Sequence, residues 1–189
     1  MKPLPQTLLA LAIAATLAAC ASTPASTRSA STPPAVSTAK QAVVNLASAS
    51  ASLVSGKLTL VPMGDGVHVT GEIGGLKAGS SHAFHIHEKG DCSAADASSA
   101  GGHFNPAGQP HGRAGQGPHH AGDADNLVAD ANGVAKVNVH FSGVTLGGGA
   151  ANDIAGRGVI VHAAPDDYSS QPAGNAGARV ACGVITVTQ

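Results

Sequence analysis

After residue 40 this chain almost nowhere repeats apolar side chains at the three- and four-residue spacing of an amphipathic helix. Short alternating or β-branched runs recur instead between clusters of Gly, Asn, Asp and Pro. The pattern predicts an all-β fold with strands at Ala42–Ala47, Ser52–Val61, Gly66–Ile73, Ser81–His87, Asn126–Ala129, Ala135–Phe141, Gly158–His162 and Ala181–Thr188. Eight short antiparallel strands at this spacing suit a Greek-key β-sandwich or flattened barrel. Asp130-Ala131-Asn132-Gly133 predicts a turn in which Asn-Gly supplies the positive φ angles of a tight hairpin. Glu88–Asp125 and Pro165–Arg179 do not fit as strands. Irregular loops of that length in a compact domain usually carry function, so chemistry is expected there.

The N-terminus adds separate segments to a single domain over residues 41–189, in a chain of 189 residues. Residues 1–19 have one charge, Lys2, and an apolar run from Leu8 to Ala19 too short to span a bilayer, which reads as a secretory signal. Leu17-Ala18-Ala19-Cys20 resembles the bacterial lipobox, predicting cleavage before Cys20 and a lipid anchor on it; an ordinary secretory signal cut nearby is the alternative. Residues 20–40 are mostly Ser, Thr, Ala and Pro and read as a flexible tether. The expected location is the bacterial cell envelope, on the periplasmic side of a membrane-anchored lipoprotein. With Cys20 acylated, Cys92 and Cys182 remain, and export makes a disulfide between them the simplest outcome, two free thiols being the other. The chain has 10 Lys and Arg against 11 Asp and Glu. Loss of Lys2 with the leader leaves nine against eleven, a formal charge of −2 that argues against nucleic acid as partner. Oligomeric state, monomer or homodimer, stays open.

The outlying feature is ten histidines. His85-Ile86-His87 puts two imidazoles on one face of a strand, able to converge on one metal. His103, His111, His120, Asp123 and His162 follow, a donor set that suits copper and zinc rather than calcium or magnesium. Six histidines and one aspartate are too many for one four-coordinate centre. Two such centres need eight donors, and seven suffice if one deprotonated imidazole bridges both. His68, His82 and His140 have no motif around them, and His119 reads as a surface residue beside His120.

Phe84-His85-Ile86-His87-Glu88, Gly102-His103-Phe104-Asn105-Pro106, His120-Ala121-Gly122-Asp123 and the run Gly174 to Ile185 are similar to the signatures of the copper/zinc superoxide dismutases, over about residues 42–189. The resemblance implies one Cu(2+) and one Zn(2+) per subunit. It implies copper ligands His85, His87, His103 and His162, zinc ligands His103, His111, His120 and Asp123, and His103 as the bridging imidazolate and proton carrier. It further implies that Asp166 links His85 and His111, with Asp167 as competitor, and that Arg179 guides the superoxide anion to copper. The activity implied is disproportionation of superoxide to oxygen and hydrogen peroxide. A non-catalytic copper/zinc-binding lipoprotein of the same fold is the alternative. Two departures stand out. Ala83 replaces the family's usual Gly, and the loop Pro165–Arg179 has no lysine, leaving Lys89 as candidate for steering the substrate.

Overall fold

The structure is a computed structural model and describes residues 35–189. The leader, Cys20 and the tether as far as residue 34 lie outside the described residues. Ten strands follow one another: β1 (Ala42–Ser48), β2 (Ser55–Met63), β3 (Gly66–Gly74), β4 (Ser81–His82), β5 (Phe84–His87), β6 (Leu127–Val128), β7 (Ala135–Ser142), β8 (Gly158–His162), β9 (Arg179–Val184) and β10 (Thr186–Val187).

Eight strands are expected, and the two extra ones come from runs that break where their pairing shifts. Ser81–His87 divides at Ala83, whose N–H donates to Ala164 O at 3.0 Å and whose carbonyl accepts from His162 N at 2.9 Å. Before this point β4 pairs with β6, and after it β5 pairs with β8. The last run divides at the buried Ile185: β9 lies between β8 and the end of β1, at Ala47 and Ser48, whereas β10 pairs only with the start of β1, at Ala42 and Val43.

The main antiparallel sheet has the order β5-β8-β9-β1-β2-β3-β7, with β10 beside β1. Contact of β6 with β7 lets the β4–β6 pair continue the sheet round on itself. The connection from β3 to β4 passes over β7 and β6, the Greek-key step. Alternate residues point inward: Val44 and Leu46, Leu58 and Leu60, Val67 and Val69 are buried. Phe84 and Phe141 close the core with ring centroids 6.2 Å apart. Burying each such side chain contributes about 1.5–3 kcal/mol.

The turn at 130–133 forms differently from expectation. Only Gly133 takes positive φ, at 75°, and the Asp130 carboxylate closes the loop by accepting N–H bonds from Asn132 at 2.8 Å and Val134 at 3.0 Å. A connection not singled out from sequence, residues 143–157, is organised by buried Asp153, which accepts N–H bonds from Gly147, Gly149 and Ala155, each at 2.8 Å. It also captures the end of the segment read as tether. Thr38 and Ala39 N–H donate to Leu146 O at 3.1 and 3.0 Å, and Leu146 N–H donates to Ser37 Oγ at 2.9 Å. Main-chain bonds of this kind need no apolar side chain, so composition did not signal them.

Candidate metal centre

Strand pairing gathers the histidines. His85 and His87 lie on β5, His162 ends the neighbouring β8 at an irregularity in the ladder, and the long loop returns so that His103 bridges to His87. Two groups of donor atoms result, each with all members within 4.8 Å of one another: His85, His87, His103 and His162; and His103, His111, His120 and Asp123. All seven residues are buried, and His103 belongs to both groups.

Four of the rings have one nitrogen anchored and the other free. His87 Nδ1 bonds to Gly101 O at 3.0 Å and His162 Nδ1 to Gly177 O at 3.3 Å. His85 Nε2 and His111 Nε2 bond to the two oxygens of Asp166, at 2.8 and 2.9 Å. The opposite nitrogens, His87 Nε2, His162 Nε2, His85 Nδ1 and His111 Nδ1, are buried without a hydrogen-bond partner, and so is His103 Nε2. An unsatisfied buried polar atom costs about 1–3 kcal/mol. Five of them converging in one place are relieved together by cations. His103 is different: no group outside the cluster anchors it, and its Nδ1 lies 2.8 Å from Asp123 Oδ1 and 3.3 Å from His120 Nδ1. Asp123 Oδ2 accepts the N–H groups of His120 and Gly112. His111 Nδ1 stands 3.0 Å from the same oxygen without the alignment of a hydrogen bond, the relation of two ligands facing a common ion.

Burial keeps four of the rings in the uncharged, ligating form. Burial pushes His85 down to about 4 and His162 to about 3, and it also lowers His87 and His120. Burial opposes ionisation of Asp123, but the His103 ring and the His120 N–H outweigh it and hold the carboxyl below the usual range. Asp166 behaves likewise under the His85 ring and the Tyr168 N–H. Asp167, its competitor in sequence, is exposed and instead caps Ser169 and Ser170.

Two openings are lined by histidines of the cluster. One, of about 350 Å³, is lined by His162, Arg179, Gln171, Pro172 and Ala173. The other, of about 380 Å³, is lined by Glu88, His103, His120, Pro172 and Ala173. The Arg179 guanidinium is fixed at the first by donating to Ala97 O at 2.7 Å and Gly101 O at 2.6 Å. Burial lowers its pKa from the usual value, while Asp96 raises it. Lys89 is exposed and lines neither opening. The Cys92–Cys182 disulfide, with Cα atoms 5.7 Å apart, ties the long loop to β9 three residues beyond Arg179.

Residues 54–185 match the family model described as copper/zinc superoxide dismutase (SODC). The chain belongs to the copper/zinc superoxide dismutase family. Cu-Zn superoxide dismutase 2 of Aquifex aeolicus is 44% identical over 135 residues, covering 70% of this chain and 79% of the relative. Cu-Zn superoxide dismutase 1 of the same organism is 43% identical over 133 residues, covering 69% and 79%. Among solved structures, a SOD-like protein from Bacillus subtilis has TM-score 0.69 and 35% identity over 76% of this chain and 97% of its own. The clock protein EA4 has TM-score 0.71 and 37% identity over 82% and 98%.

Copper and zinc are thus this superoxide dismutase family member's metals, and the unpartnered imidazole nitrogens fit both ions. Ala83, where the family's usual residue is Gly, is fully buried without disturbing its two main-chain bonds. Two supporting residues escaped sequence reasoning. His82 is buried, and its Nδ1 bonds to the carbonyl of His162 at 2.8 Å while Nε2 meets Ser80 Oγ at 2.6 Å. Gly174, with φ of 67°, passes so close to Asp166 and His111 that a Cβ there would fall 1.8 Å from Asp166 Oδ1. Only glycine combines that backbone with that approach.

Proposed function

We propose that this chain disproportionates superoxide to oxygen and hydrogen peroxide, with copper held by His85, His87, His103 and His162 and zinc by His103, His111, His120 and Asp123. The observation that carries the reading is His103, shared by both donor groups and bonded to nothing outside them. Bound copper supplies a one-electron couple that oxidises one superoxide and reduces the next, while zinc contributes a fixed charge.

The chain's own residues supply the rest. His103 Nε2 would take up a proton and return it to the reduced product, water supplying the second proton of hydrogen peroxide, a role open to it because no carbonyl or carboxylate claims that nitrogen. Asp166 holds His85 and His111 in one tautomer, leaving His85 Nδ1 and His111 Nδ1 as the ligating atoms. Arg179, always protonated and fixed by two carbonyls, holds the anion beside His162. Its part is electrostatic. The same reading makes the protein a periplasmic lipoprotein anchored through Cys20, and a disulfide agrees with an oxidising compartment.

The deciding experiment loads the purified protein with both metals and follows superoxide decay together with the visible copper band. Both should be present, and a chelator should remove both. A protein that shows the copper band yet leaves superoxide decay at its uncatalysed rate is the binding lipoprotein of the alternative reading, and the proposal then fails.

Steering by Lys89 would act through its charge at a distance, since it lines neither opening. Salt screens such an effect over about 10 Å at 0.1 M. Lys89→Gln should lower kcat/KM at low ionic strength by roughly twofold and flatten its salt dependence. Unchanged salt dependence refutes the role.

A further inference from the structure

Two histidines that the proposed mechanism does not use face each other on the outside of the sheet. His68 of β3 and His140 of β7 are direct register partners. Their chain neighbours Val67, Val69 and Phe141 are buried in the core. Residues opposite each other on adjacent strands have Cβ atoms about 4.5–5.5 Å apart, close enough for both side chains to reach one ion.

The hydrogen bonding repeats the pattern of the main centre. His140 Nε2 lies 2.8 Å from Asp65 Oδ1. A carboxylate can only accept, so Nε2 carries the ring proton of neutral His140 and Nδ1 presents its lone pair. His140 Nδ1 is buried without a partner, and so is His68 Nδ1. The two ring centroids are 6.1 Å apart, with planes inclined by 32°. His85 and His87, members of one donor group in the main centre, stand 6.4 Å apart. An imidazole oriented by a carboxylate, with a second imidazole alongside and both remaining nitrogens unpaired, is the arrangement that protein metal sites use.

We propose that His68 and His140 bind a third ion per chain through their Nδ1 atoms, with Asp65 orienting His140 and water completing the coordination. Two imidazoles and no thiolate suit a divalent ion of the copper and zinc class rather than calcium or magnesium. His140 lines a groove of about 400 Å³ between β7 and the loop, and the lining also includes His119, Asp125 and the buried Asp123 of the main centre.

The test loads the main centre with two equivalents of zinc, removes free ions, and titrates the full chain with copper(II) ion. One further equivalent should bind, and its electron paramagnetic resonance should show two imidazole nitrogens. H68Q and H140Q should each weaken that equivalent at least tenfold. D65N should weaken it by about 10-fold, at the lower end of the range for a residue that orients a ligand. Retained thermal stability would show that these variants fold. Metal content that stops at two per chain overturns the proposal, as does a third ion that binds the H68Q/H140Q double variant as tightly as the parent. The paramagnetic signal of the unmutated chain decides the matter even if a variant fails to fold. None of these readouts depends on dismutase activity, so they separate this site from the proposed reaction.

Discussion

Replacing Asp166 with alanine should weaken both metal positions at once, each by about 10–100-fold. Its two oxygens are divided between the centres, Oδ2 on His85 and Oδ1 on His111. Removing them leaves each Nε2–H buried without an acceptor, and neither ring is then held in the tautomer that frees Nδ1. The loss should appear in chelator competition as parallel falls in zinc and copper affinity, with superoxide turnover declining as ions depart. D167A is the control, because Asp167 is exposed and its carboxylate bonds only to Ser169 and Ser170. If D166A weakens one metal and leaves the other untouched, Asp166 does not link the two positions.

Stripping both metals should lower the melting temperature by roughly 20 °C. An ion present at a thousand times its Kd stabilises the folded state by about 4 kcal/mol, and for a domain of this size each kcal/mol moves Tm by about 2–4 °C. The stripped protein should also be acid-sensitive, and the sign follows from the rings. His85 and His162 titrate near 4 and 3 in the folded chain against 6.5 unfolded, because burial disfavours their charged forms. Between those values the unfolded chain binds more protons, so stability falls as pH drops below about 6.5 and goes on falling to about 3. Lowered Asp123 and Asp166 add to the loss below their ordinary range near 3.8. Calorimetry of the stripped and loaded forms at pH 7.5 and pH 5 checks both parts. Equal melting temperatures for the two forms at pH 7.5 would mean that the cluster binds no ion tightly enough to matter.

Much of this could be read in the residues alone, for reasons that differ from place to place. The seven donors grouped in the sequence are the seven that the fold brings together, because His85 and His87 share a strand face and the others sit at close spacing in one loop or at a strand end. The strands could be seen through their alternation. Their breaks at Ala83 and Ile185 could not, since the apolar pattern runs on while the hydrogen-bond partner changes at the first and the pairing with β8 ends at the second. Contacts to main-chain carbonyls also leave no mark on the chain: His82 meets the carbonyl of a residue 80 positions away, and Arg179 grips two carbonyls of the long loop. The closeness of Gly174 to Asp166 is equally silent, because nothing distinguishes that glycine from its neighbours until the loop is folded.

The two openings onto the histidines of the cluster share Pro172 and Ala173 in their lining. A substitution at either residue therefore reshapes the approach to His162 and the approach to His103 together. If Arg179 holds the anion as proposed, an inhibitor wedged against it would fill the opening lined by His162, and Pro172 and Ala173 would carry its bulk toward the opening lined by Glu88 and His103.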